Sequence, residues 1–172
     1  VSDETIQRII AKLNLQPMPV EGGLVAQTYR SAQAISLDSL PDGYSGSRAF
    51  STAIYYALTA DPDSFSALHC LATDEIYHFY LGDPVELLLL LPGGASRHVI
   101  LGQDLLGEQY VQLLVPAGTW QGLRLAPGGR FALMGTTMAP GFTQDDFTLG
   151  ERATLLAGWP QESDLITCFT RI

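Results

Sequence analysis

An imidazole and a carboxylate lying close together are the most chemically capable pair in this chain. Of its three histidines, two fall in Leu68-His69-Cys70 and Tyr77-His78-Phe79, with Glu75 between them. If the chain turns as a hairpin at 72–74, His69 and Glu75 stand near the same end of two paired strands, within reach of each other. An imidazole oriented by a carboxylate can act as a general base or bind a metal. The same pair serves equally as a core histidine satisfied by its neighbour. His78 has the opposite strand parity to Glu75, so it faces the other side and is structural. His98, beside Arg97, reads as a surface residue.

Two further segments carry candidates. In Val115-Pro116-Ala117-Gly118-Thr119-Trp120-Gln121 a rigid Pro-x-Gly bend aims Trp120 and Gln121 from the start of a new strand. Gln121 can bond a ligand or complete a metal shell, while Trp120 either stacks on a ligand or fills core. In Glu21-Gly22-Gly23, followed by Tyr29-Arg30, the arginine pairs with Glu21 or reaches a ligand anion. Tyr55 and Tyr77 complete a set of aromatic walls. Cys70 and Cys168 form no CxxC pair and read as small core residues. Phosphate loops, nucleophile elbows, HExxH helices and dinucleotide fingerprints are all missing.

The elements that must position these groups are mostly strands. After a short helix marked by Ser2 and an apolar stripe of Ile6, Ile9, Ile10 and Leu13, a lid or brace, Pro17 and Pro19 stop the chain and 24–30 reads as extended. A polar loop occupies 38–47. Strands are expected at 51–59, 65–71, 75–81, 85–91, 97–101, 110–115, 120–125 and 130–139, with Pro, Gly and Asp turns between them. Residues 152–157 suggest a terminal helix. Successive strands without intervening helices exclude a parallel α/β sheet and point to an all-β jelly roll.

Composition agrees. The 172 residues are 47% apolar and 16% charged, which suits one folded domain with a large core. With 9 Lys and Arg against 18 Asp and Glu, a net charge of −9 repels nucleic acid and anionic membrane. No apolar run is long enough to span a bilayer, and the amino terminus lacks a secretory leader, so a cytoplasmic location is expected.

The ordered blocks Pro19-Val20-Glu21-Gly22-Gly23, Thr28-Tyr29-Arg30-Ser31, Ser51-Thr52-Ala53-Ile54-Tyr55, 66–82, 115–121 and Ala139-Pro140-Gly141-Phe142 with Asp146-Phe147 resemble the DUF985, or cupin-5, family. The resemblance covers nearly the whole chain. It implies a cupin-type double-stranded β-helix, a jelly-roll barrel with short amino- and carboxy-terminal helices, related in shape to sugar-nucleotide epimerases and usually paired as a homodimer. Residues 1–172 would then form a single cupin domain: an amino-terminal helix, strand and loop (1–50), barrel strands (51–140) and a tail with a short helix (141–172).

Against the wider cupin pattern, Glu75 and Gly82 keep the first motif's spacing, and His69 stands about where its histidine pair would be. Pro116 and Gly118 keep the second motif's turn. One histidine of the first motif is missing, and Gln121 replaces the second motif's histidine. His69, Glu75 and Gln121 would therefore hold a divalent ion only weakly, and no cofactor is expected to be tightly bound. The expected function is binding of a small molecule in the barrel mouth, such as a sugar or nucleotide derivative, with Arg30, Tyr55, Tyr77, Trp120, Gln121 and Glu21 around it. The alternatives are a sugar isomerase or epimerase with His69 as base oriented by Glu75, and a weakly metal-dependent enzyme.

Overall fold

The computed structural model describes residues 2–171. Helix α1 (Asp3–Lys12) starts at Ser2, whose hydroxyl accepts the Thr5 amide at 3.3 Å, and Asp3 and Glu4 sit in the first turn, where the helix dipole favours negative charge. The strands are β1 (Gln16–Pro17), β2 (Leu24–Arg30), β3 (Ala34–Ile35), β4 (Arg48–Ala49), β5 (Thr52–Thr59), β6 (Ser66–Leu71), β7 (Glu75–Gly82), β8 (Val85–Leu90), β9 (Ser96–Leu101), β10 (Gln112–Val115), β11 (Trp120–Leu125), β12 (Phe131–Met138) and β13 (Phe147–Leu149). Helices α2 (Arg152–Gly158) and α3 (Ser163–Cys168) follow.

Two antiparallel sheets face each other, a six-stranded one ordered β1-β2-β5-β12-β7-β10 and a five-stranded one ordered β13-β6-β11-β8-β9. Strands β3 and β4 form a separate short pair. Alternation along each strand decides what lies between the sheets. Tyr56 and Leu58 of β5, Tyr77 and Phe79 of β7 and Met134 of β12 meet Leu87, Leu89, Val99, Leu101 and Leu123 from the opposite sheet. Each such side chain, fully buried, contributes about 1.5–3 kcal/mol.

The outer faces are covered as well. Leu68, Leu88 and Leu90 turn away from the interior and pack on Leu155 of α2, Ile166 of α3 and Phe169. On the other side Ile6 of α1 packs with Leu15 over Ala57, Phe131 and Leu133. Helix α1 is thus a brace on the back of the six-stranded sheet. Among the described residues no helix is long and apolar enough to cross a membrane.

The expected barrel strands are present, with ends moved by one or two residues, and the helix expected at 152–157 is α2. Strands β1, β3, β4 and β13 were not expected, because two or three residues carry no alternation to detect. Helix α3, six residues long, was also not expected. One correction matters for function. Strands β6 and β7 are not a hairpin: β6 pairs with β11 and β13, whereas β7 pairs with β12 and β10. Segment 72–74 carries the chain from one sheet to the other. A second correction concerns the cysteines: Cys70 is only partly buried and Cys168 is exposed, on the solvent side of α3.

Candidate functional site

At one end of the space between the sheets lies a cavity of about 220 Å³. His69 of β6 enters from the five-stranded sheet, and Glu75 and Tyr77 of β7 enter from the six-stranded one. The expected meeting of His69 and Glu75 therefore occurs across the cavity, by a crossing between sheets. Glu21 joins them from the turn before β2. That turn needs glycine: Gly22 and Gly23 have φ of 104° and 72°, and a Cβ at Gly23 would stand 2.5 Å from the Tyr56 hydroxyl. Tyr56 in turn donates to the Gly22 carbonyl at 2.9 Å.

The imidazole of His69 is fixed by the backbone. Its Nδ1 lies 2.8 Å from the Ala67 carbonyl, which can only accept, so Nδ1 carries a proton and the neutral ring keeps its lone pair on Nε2. The ring stacks on Phe147, with centroids 5.1 Å apart and planes at 20°. His69 is 2% exposed, and Nε2 has no hydrogen-bond partner within the described protein. The group that orients the imidazole is thus Ala67, in place of the expected Glu75.

Glu75 is held from behind, where Gln121 Nε2 donates to its Oε2 at 2.8 Å. Burial pushes its carboxyl above the ordinary range. His69 nearby lowers it, Glu21 raises it further, and the polar groups of Thr136 and Gln121 pull it back. The phenols of Tyr56 and Tyr77 are pushed well above their ordinary value, mainly by burial and next by Glu21 and Glu75 respectively, so both remain protonated. Glu21 accepts the Ser66 hydroxyl at 2.7 Å. Its expected partner Arg30 points elsewhere, donating to the Phe142 carbonyl at 3.1 Å.

Of the residues expected at the site, His69, Glu75, Glu21 and Tyr77 line the cavity. Gln121 stands behind Glu75, and its Oε1 is buried without a partner among the described residues. Arg30 braces a wall from outside. Two expectations are corrected. Tyr55 lies on the outer face with the α1 cluster and meets Tyr80 edge-on at 5.9 Å. Trp120 pairs in register with Cys70 and packs on the outer helices.

The sequence reading missed Tyr56, Ser66, Thr136, Phe142 and Phe147. Tyr55 and Tyr56 could not be told apart because both faces of the six-stranded sheet are covered, so hydrophobicity does not phase β5. Ser66 has the wrong parity to join His69 in a regular strand. A register shift between Gln121 and Leu123 of β11 brings both to the interior side, and Gly122 was its only visible sign. His78 faces outward as expected, 3.1 Å from the Thr137 hydroxyl, and the exposed His98 pairs with Glu162 at 2.9 Å.

The geometry can be set beside known proteins. A protein from Shewanella oneidensis of known crystal structure is 32% identical, with 96% of each chain covered and a TM-score of 0.83. A Leishmania major protein is 27% identical over 96% of this chain and 98% of its own, with a TM-score of 0.84. A dTDP sugar isomerase from Desulfovibrio desulfuricans shares the fold at 19% identity, 80% coverage of both chains and a TM-score of 0.50. No curated protein sequence matches the chain. The profile described as Cupin superfamily (DUF985) matches residues 7–150, and the chain belongs to that family.

Proposed function

We propose that this cupin binds a small polar organic molecule of about monosaccharide size in the cavity between its sheets. One observation carries the reading: a concave, partly open space with mostly apolar walls, Met18, Val25, Ile54 and Met138 among them, onto which a few fixed polar groups converge. The unused Nε2 of His69 is the foremost of these.

Size and charge narrow the class. A cavity of about 150 Å³ admits benzene, whereas sites for drug-sized ligands run from about 300 Å³ upward. At about 220 Å³, the space suits a monosaccharide and is too small to enclose a sugar nucleotide. Among the described residues no lysine or arginine lines it, and two carboxylates do, which disfavours a phosphate group. In thermal-shift and calorimetric screens, compounds of monosaccharide size are expected to bind and His69→Gln to weaken them. A sugar nucleotide binding about tenfold tighter than its free sugar would contradict the reading.

A second reading, proton transfer by His69, is favoured by the Ala67 contact, which leaves Nε2 as the basic nitrogen, with the protonated Tyr77 lining the same cavity. Once a turned-over compound is found, His69→Gln is expected to slow its turnover about 10²–10⁴-fold, well beyond its effect on affinity.

A resident transition metal does not fit these residues. Among those described, no three His, Cys, Asp or Glu side chains are disposed so that they could hold a metal ion. Gln121 presents its NH₂ to Glu75, leaving a single imidazole beside the two carboxylates, where tight transition-metal sites favour several imidazoles. Metal analysis of protein purified without chelator is expected to find less than stoichiometric metal; one ion per chain would overturn this.

A further inference from the structure

The charges around the cavity do not balance. Glu21 and Glu75 both line it and are 8% and 6% exposed, and the one other ionisable group there besides the phenols is the imidazole of His69. Even a protonated imidazole would leave one carboxylate uncompensated. Burying an unpaired charge is costly, which is why burial favours the protonated form of Glu75, and a positive guest would restore its charged form. The walls agree. Tyr56, Tyr77, Phe142 and Phe147 line the same space, and aromatic rings attract cations.

The acidic pair does not stand alone as the sign of a ligand. His69 is almost wholly buried, its Nδ1 is committed to Ala67, and its Nε2 is left as a free acceptor beside the cavity. A ligand carrying both an ammonium group and a hydroxyl or N–H donor would satisfy carboxylates and imidazole together.

We propose, building on the small-molecule reading above, that the ligand is a small organic cation: an ammonium group on a short hydroxylated or amine-bearing skeleton, held by Glu21 and Glu75 against the aromatic walls. Burial and Glu21 both disfavour the charged form of Glu75, and a bound cation offsets both effects. Ser66 and Gln121 keep the carboxylates in place, through their hydrogen bonds to Glu21 and Glu75.

The test compares choline with 3,3-dimethylbutan-1-ol, the same shape without the charge, by calorimetry and by NMR of the His69 ring and Met138 methyl. Choline is expected to bind about tenfold tighter or more, and Glu21→Gln and Glu75→Gln each to shrink that ratio several-fold. Equal or tighter binding of the alcohol would overturn the cation inference and leave the small-molecule reading standing. Failure of both probes to move the cavity resonances would count against both. The wild-type comparison holds even if a variant does not fold.

Discussion

Glu75 is the residue at which stability and function pull apart most clearly. Its carboxyl is buried and its pKa raised, chiefly by desolvation. The folded state therefore keeps a proton over a range where the unfolded chain has already released it. The stability contributed by this one group is greatest below the ordinary carboxylate pKa, falls as pH rises towards the folded value, and is level beyond it. Each unit of elevation corresponds to about 1.4 kcal/mol. Glu75→Gln removes the titrating group and keeps an acceptor for Gln121, so the variant is expected to lack this slope in urea unfolding as pH is raised from about 4, the ordinary carboxylate value. Parallel profiles for the two proteins would contradict the burial account. His69 was visible in the sequence because the chain has only three histidines, and Glu75 because it lies six residues further on, between two of them. The hydrogen bond from His69 to Ala67 was not visible, since a backbone carbonyl leaves no trace in side-chain identity.

Among the elements, the segment from 142 to β13 matters most to the cavity, because Phe142 and Phe147 stand at its two ends. A buried ion pair holds it. Arg48 of β4 donates to Asp146 through Nη2 at 2.7 Å and Nε at 3.3 Å, and its Nη1 reaches the Gly46 carbonyl at 2.7 Å. Asp146 also accepts the Thr143 amide at 2.9 Å. Arg48 is 2% exposed, and removing one partner of such a pair strands the other. Arg48→Ala is expected to cost about 3–5 kcal/mol in chemical denaturation, and a loss below about 1 kcal/mol would show the pair to be dispensable. Nothing local in the sequence marks this contact, which joins residues far apart in the chain. The long strands were legible because alternation and turn residues repeat along them. β4 and β13, which place Arg48 beside Asp146, are too short to repeat anything.

In the whole molecule, the cavity follows from how the sheets are closed. The apolar core fills one part of the space between them, and polar side chains gather towards the other, where the turn before β2 and the segment after β12 enter. The chain's last described residue helps: Arg171 donates to the Val20 carbonyl at 3.1 Å and the Glu21 carbonyl at 3.2 Å, tying the carboxy-terminal end to the turn that carries Glu21. All-β architecture and the crowding of chemistry around residues 69–77 were readable from composition and spacing. The crossing at 72–74 was not, because a short polar corner reads the same whether it closes a hairpin or passes between sheets. On that crossing rests the central claim, that His69 and Glu75 face one cavity from opposite sheets. Nitrogen-15 NMR of the imidazoles tests it without any ligand. The prediction is that neutral His69 carries its proton on Nδ1, and that Glu75→Gln shifts its Nε2 resonance while leaving His98 unmoved. A proton on Nε2, or an Nε2 resonance indifferent to the change at Glu75, would contradict it.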